Sequence, residues 1–483
     1  MIAALGSLSL VVALGQPVAA LAVPPRDYQQ RILANGLEVL VVEDHGLPLV
    51  TVEIAVRNGS MTEPPELNGL SHLYEHMFFK GNKVLQNQEA FLEKSRELGM
   101  VFNGSTETER VNYFFTTTAD KLRPSLSLMR DSIESPLFDA GELKREQQVV
   151  IGEIDRDDAD PFYHFGHELD LRLWRYPSYK DPLGNRETVA ASTPEELRLI
   201  QSRYYVPNNS VLVIAGDVQP QAAFALAEEL LSGWARAPDP FVAHPIVTEP
   251  PLTRSSVVVV AQPVQTVAMG FQWQGPSARA TEVGGEPGGA VGSGRGAEQS
   301  FTYAADLLSA VVSQPGSRFQ RALVDSGACV RADLGWLTQA HVGPVTYGLE
   351  AAPDKVDTCL KAALAALPSL IEADAFSDDE LRDGRLHLEI QKALEREETS
   401  AFAHVLTFFW SSTGLPYYDA YLPHLREVSR AQIDLFLRRY VLGAVAGPPP
   451  FFVFGVLLSP ELAAAQHLDA AHFEKLLGLG GAR

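Results

Sequence analysis

The stretch Gly69-Leu70-Ser71-His72-Leu73-Tyr74-Glu75-His76-Met77-Phe78-Phe79-Lys80-Gly81 decides how this chain is read. Its pattern fits a helix over Gly69 to Phe79 that Gly81 stops. On such a helix His72, Glu75 and His76, at i, i+3 and i+4, share one face. Two imidazoles one turn apart can grip a divalent metal while the carboxylate reaches the open coordination position. A pentad of this kind standing alone reads equally well as a helix with two surface histidines and an ion-paired Glu. The surrounding sequence has to decide.

Downstream, Asp139 can cap a long helix running through Glu153, with Glu146 and Glu153 two turns apart on one face. A catalytic zinc needs three protein ligands and one open position. Seven helical residues rise about 10.5 Å, so both carboxylates cannot bind one ion. One is expected to be the third ligand and the other its support. With only Cys329 and Cys359 in the chain, no zinc-thiolate cluster can be built. The two form one disulfide in an oxidising compartment, or sit as small buried hydrophobes.

Around this site the chain alternates strands and helices. Arg31 to Glu43 and Leu49 to Arg57 read as paired strands, Gln88 to Leu98 as a helix and Val111 to Thr118 as a strand. Lys121 to Ser135 and Pro194 to Tyr205 read as helices, the latter feeding a strand over Ser210 to Gly216. Ala237 to Leu252 holds five prolines and no helical period, which marks a linker. The same grammar then returns: a strand over Ser255 to Ala261, a helix near Tyr303 to Val312, strands between Val330 and Leu349, and helices over Asp354 to Leu367 and Ser377 to Glu397. The expected fold is α+β: two tandem, structurally similar domains, each a mostly antiparallel sheet packed with helices. The expected division is a signal segment at 1–22, a metal-bearing domain at 23–236, the linker at 237–252 and a second domain at 253–483. The second domain carries a Gly-rich insertion over Gly275 to Ala297 that has no phosphate-binding spacing.

These residues carry a resemblance to the pitrilysin/insulinase peptidases, which include mitochondrial processing peptidase and its bacterial relatives. Arg57-Asn58-Gly59-Ser60-Met61-Thr62-Glu63 followed by Gly69 to Gly81 matches the family's strongest signature almost throughout. Glu153 follows His76 by 77 residues, the family's spacing for its metal-binding Glu, and Glu146 stands where the family has a supporting Glu. The resemblance therefore implies Zn2+ held by His72, His76 and Glu153, with Glu75 activating a water and Glu146 orienting the ligands. Asn103-Gly104-Ser105-Thr106 is similar to the family's edge strand, onto which a substrate peptide adds as a further strand. Tyr204 to Asp217 resembles the segment that closes the first domain, and Ser317-Arg318-Phe319 falls at an expected helix of the second.

One departure bears on mechanism. Active members of the family supply an Arg and a Tyr, seven residues apart, that approach the substrate carbonyl. Here those positions hold Leu323 and Val330, and sliding the register to Arg321 puts Ala328 at the Tyr position. The resemblance thus implies a zinc peptidase that takes the pair from a homologous partner subunit in a heterodimer, with a homodimer as the alternative. A non-catalytic binding or assembly subunit is the competing reading. A thermolysin-like arrangement is disfavoured because there the Glu directly follows the first His.

The remaining features point the same way. A net charge of −21 repels phosphate backbones, which excludes nucleic acid as a partner and favours neutral or basic peptides. Ile2 to Ala22 is an apolar run ending in small residues, as an exported, periplasmic protein would carry; a membrane anchor is the alternative. His164 and His167 lack a nearby partner to complete a second metal site, and Asp155 to Asp160 lacks the spacing of a calcium loop. Phe408, Phe409 and Trp410 are expected to be buried packing rather than a substrate platform.

Overall fold

A computed structural model describes residues 27–278, 295–443 and 449–479. Residues 1–26 and most of the Gly-rich stretch, 279–294, fall outside them, and with them the expectation about the N-terminal segment. Among the described residues no helix is long and apolar enough to cross a membrane.

Among the described residues eleven strands form two sheets. The first contains β1 (Gln29–Ile32), β2 (Glu38–Glu43), β3 (Leu49–Val56), β4 (Val101–Thr106), β5 (Val111–Thr118) and β6 (Ser210–Gly216), in the order β1-β2-β6-β3-β5-β4. The second contains β7 (Ser256–Ala261), β8 (Val267–Gln274), β9 (Arg331–Trp336), β10 (Pro344–Ala351) and β11 (Val453–Leu458), in the order β7-β11-β8-β10-β9. Leaving β1 aside, the two orders correspond strand for strand. In each sheet one pair is parallel, β2 with β6 and β7 with β11, while the others are antiparallel. The tandem similarity expected from the sequence is therefore present as topology, although it leaves no residue-level repeat.

Two expectations about the first strands need correcting. The run Arg31 to Glu43 is two strands, broken by a turn in which Leu33 and Leu37 close a backbone ring and Gly36 takes φ +91°. Its second strand does not pair with β3, because β6 lies between them. The reason is burial: Ser210 to Gly216 is buried at all seven positions, so it takes the centre of the sheet, where both faces are covered.

One face of the first sheet packs on helices of its own half: α1 (Leu70–Phe78), α2 (Gln88–Glu97), α3 (Leu122–Glu134) and α4 (Ala140–Asp158). The other face, with Leu40, Val42, Val211 and Val213, is covered by Phe402, Leu406 and Trp410 of the helix Thr399–Ser411, which follows β10 in the second half. The exchange is mutual. Leu169 and Leu173 of α5 (Pro161–Leu173), in the first half, cover Val258, Val260, Val453 and Leu457 of the second sheet. Gly455 lets α5 approach, since a Cβ there would lie 2.6 Å from Phe165 and 2.8 Å from Leu169. Each large side chain in these crossed contacts stabilises the assembly of the two halves by about 1.5–3 kcal/mol.

The two cysteines pair. Cys329, just before β9, is bonded to Cys359 on the helix Val356–Ser369, and both are buried. Because the bond closes a loop of 30 residues, reduction is expected to cost about 3–4 kcal/mol of stability. Thermal unfolding with and without reductant checks this as a fall in Tm.

Candidate metal and peptide site

The helix α1 begins at Gly69, which adopts φ +91° and sits where a Cβ would meet the carbonyl oxygen of Leu183 at 2.9 Å. No side chain of the helix caps it. Instead the buried carboxylate of Glu63 accepts from the Gly69 N–H at 2.7 Å and the Ser71 N–H at 2.5 Å. The N-terminus of the helix, with Gly69 as its cap and Leu70 as its first residue, is thereby fixed just ahead of His72. Burial pushes Glu63 up to about 7, against the pull of these N–H donors.

The long helix α4 lies against α1 and, as expected, is capped by Asp139, whose Oδ1 accepts from Gly141 and Glu142 N–H. The two helices bring His72, His76 and Glu153 together, each offering one donor atom within 4.8 Å of the others. Glu153 Oε2 stands 3.6 Å from His72 Nε2 and 3.6 Å from His76 Nε2. Two ligands of a tetrahedral zinc with bonds near 2.1 Å are separated by about 3.4 Å, so this donor set fits such an ion. It is the only group of three such donors among the described residues.

Metal binding needs neutral imidazole, and His72 is the ligand whose surroundings favour that form. Burial, and then His76, pushes His72 down to about 4. For His76 burial works downward, but the hydrogen bond with Glu146 and the Glu153 and Glu75 carboxylates outweigh it and raise its pKa. Glu146 is not one of the three converging donors. Its Oε2 bonds His76 Nδ1 at 3.1 Å and its Oε1 pairs with Lys80 at 2.7 Å. Burial opposes the charge on Glu146, and His76 with Lys80 overcomes it and lowers its pKa. A carboxylate on the far nitrogen of an imidazole fixes the tautomer and orientation that a metal needs. Glu146→Gln is expected to weaken zinc affinity by about 10- to 100-fold, measurable by competition with a chromophoric chelator.

Glu75 is buried on the same helix face, and burial raises its pKa. Thr106 Oγ1 donates to its Oε2 at 3.0 Å. Thr106 ends β4, which lies at the sheet edge and pairs with β5 alone. Residues 103–106 of this edge, with His72, Glu75, His76, Phe79, Glu146 and Glu153, line a groove of about 540 Å³. A second hollow of about 670 Å³ adjoins it through His72 and Thr106.

Other candidates fall elsewhere. Leu323 is fully buried and Val330 is half exposed, and neither carries a polar group. His164 Nε2 bonds the carbonyl oxygen of Asp158, while His167 stacks on Tyr163. Asp155 pairs with Arg186, and Asp160 caps α5. Trp410 is buried under the guanidinium of Arg57, 3.8 Å from its ring centre. Sequence reasoning missed Glu63 and Lys80, although both stand inside the quoted signature. An acidic residue a few positions before a helix without its own cap was the available signal for Glu63.

Comparisons with known proteins show what this chain is similar to. Residues 38–183 match the family model described as Insulinase (Peptidase family M16), and residues 192–387 match the Peptidase M16 inactive domain. Zinc protease PqqE of Helicobacter pylori is 26% identical over 272 residues, 54% of this chain and 60% of that protein. An uncharacterised zinc protease of Bacillus subtilis, YmxG, is 30% identical over 187 residues, 38% of this chain and 45% of that one. The matches span about half the length of these curated relatives. Among solved structures, a protease from Helicobacter pylori superposes with a TM-score of 0.76 at 20% identity, covering 90% of this chain and all of that one. The first half of the periplasmic protease PqqL from Escherichia coli gives 0.72 at 16% identity, covering 94% and 97%. With the two family models together spanning most of its length, the chain belongs to the insulinase peptidases, family M16.

Proposed function

We propose that this chain is the zinc-bearing subunit of a metalloendopeptidase. The observation that carries the reading is the convergence of His72, His76 and Glu153 beside Glu75 at an open sheet edge. His72, His76 and Glu153 would hold Zn2+, which lowers the pKa of a water and polarises a peptide carbonyl. The Glu75 carboxylate takes the proton from the attacking water and returns it to the leaving amine. Its raised pKa brings it closer to the range where one group can do both. Thr106 holds one Glu75 oxygen and leaves the other for the proton. The free edge of β4, from Asn103 to Thr106, pairs with the extended backbone of the peptide.

No guanidinium or phenol stands at positions 323 and 330, so the donors that would stabilise the developing oxyanion come from a homologous partner subunit. A homodimer is the alternative source. The reading places the metal-bearing domain at 23–236 and the second domain at 253–483, joined by 237–252. Export to the periplasm accords with the buried disulfide, a bond of oxidising compartments. Absence of the Arg/Tyr pair also favours a second reading, a binding subunit that has kept the fold. The test is hydrolysis of a fluorogenic peptide by the purified zinc-loaded chain, alone and with the product of a neighbouring homologous gene. Activity that appears only with the partner is expected. Full activity alone would overturn the division of the site, and inactivity in both would favour the binding subunit.

A further inference from the structure

The connection between β4 and β5, residues 107–110, carries the substrate edge, and it is held from the other half of the chain. Glu109, 6% exposed, accepts hydrogen bonds from the backbone N–H groups of Ala340 at 2.6 Å and His341 at 3.1 Å. These two residues lie in the connection between β9 and β10, the counterpart in the second sheet of the β4–β5 connection. The same segment is gripped from a third element. Lys180 donates to Gln339 Oε1 at 2.5 Å and to the carbonyl oxygen of Val342 at 2.6 Å. Lys180 also lines the hollow that His72 and Thr106 share. Gln339 and Ala340 are buried, so the contacts exchange poorly with water. Next to Glu109, Arg110 reaches His404 and Thr407 on the crossed helix Thr399–Ser411.

Glu109 stands three positions after Thr106, the partner of Glu75, and Gly104 lies against the Glu75 side chain. Any shift of the 107–110 connection therefore moves both the strand that pairs with the peptide and the hydroxyl that orients Glu75. We infer that Glu109 is a positioning residue through which the metal-free half of the chain sets the register and rigidity of the peptide-binding edge. This rests on the peptidase reading for its kinetic consequence, whereas the structural consequence is independent of it. The mechanism is mechanical. A carboxylate that accepts from two adjacent backbone N–H donors, one buried and one partly buried, has one low-energy geometry, and it transmits the position of the 339–342 segment to β4.

Glu109→Gln keeps the shape but turns one acceptor into a donor aimed at an N–H. In the full-length zinc-loaded variant, zinc content should stay at the wild-type level and amide hydrogen exchange over 101–110 should rise about tenfold or more. KM for a fluorogenic peptide that the wild-type assembly cleaves should rise about tenfold, and much less for a truncated version of that peptide, because each backbone pair along β4 contributes. A general loss of stability would affect both lengths alike. Should Glu109→Gln fail to fold, Gln339→Ala loosens the same segment and should show the same pattern at about threefold. Unchanged exchange over 101–110, or equal losses for both peptides, would overturn the inference. A wild-type assembly without zinc-dependent hydrolysis would instead sink the peptidase reading, and the exchange rates would still decide the clamp.

Discussion

Glu75→Gln is expected to lower kcat by roughly a thousandfold in the active assembly while leaving bound zinc at the wild-type level, following the usual 10²–10⁴ contribution of a positioned general base. The amide keeps the volume of the carboxylate and can still accept from Thr106 Oγ1, so the groove should hold its shape. What disappears is a basic oxygen able to take a proton. His72, His76 and Glu153 do not depend on Glu75 for their approach to one another, which is why the metal should remain. Parallel assays of zinc content and single-turnover hydrolysis check both halves of the expectation. Loss of zinc together with activity would make Glu75 a structural member of the cluster. Retained activity would place the proton transfer elsewhere.

The next largest effect is expected at Gly104. A Cβ at this position would lie 2.9 Å from Glu75 Cγ and 3.1 Å from Glu75 Oε1. Gly104→Val must therefore push the Glu75 side chain away from the groove or lift the edge strand off α1. A displacement near 1 Å in a reacting group costs about a hundredfold in rate, so kcat/KM should fall by about that factor. Zinc content should again be unchanged, because the metal donors lie on α1 and α4 and not on β4. A variant with a normal rate would mean that Glu75 has room to adjust, and that the close packing of strand on helix is incidental to catalysis.

How much of this was legible in the sequence can be argued from particular residues. The helix α4 could be read from the sequence because its punctuation is local, Asp139 capping it by side-chain bonds to Gly141 and Glu142, whereas α1 closes at Phe79, two residues before the Gly81 expected to stop it. The seven-residue separation of Glu146 and Glu153 argued against both reaching one ion, and in the structure Glu146 bonds His76 Nδ1 and Lys80. Strand order could not be read in the same way. Leu49 to Val56 and Ser210 to Gly216 are both nearly continuous apolar runs, and nothing in either indicates that β6 enters between β2 and β3. Such pairing is decided by long-range contacts rather than by local pattern. The crossed helices were also hidden. Phe402, Leu406 and Trp410 announce a buried face, but only the folded chain shows that they cover the first sheet while α5 covers the second. Glu109 accepts from backbone N–H groups 231 and 232 residues away in sequence, and a backbone donor leaves no mark on a side-chain pattern.

The central claim is that His72, His76 and Glu153 hold one zinc. Zinc-edge X-ray absorption on the purified chain, beside Glu153→Gln, tests it most directly. The account predicts one zinc per chain with two imidazole nitrogens and carboxylate or water oxygens at about 2.0–2.2 Å, and loss of most of that zinc in the variant. Absence of stoichiometric zinc from the wild-type chain, or a spectrum unchanged by Glu153→Gln, would contradict it.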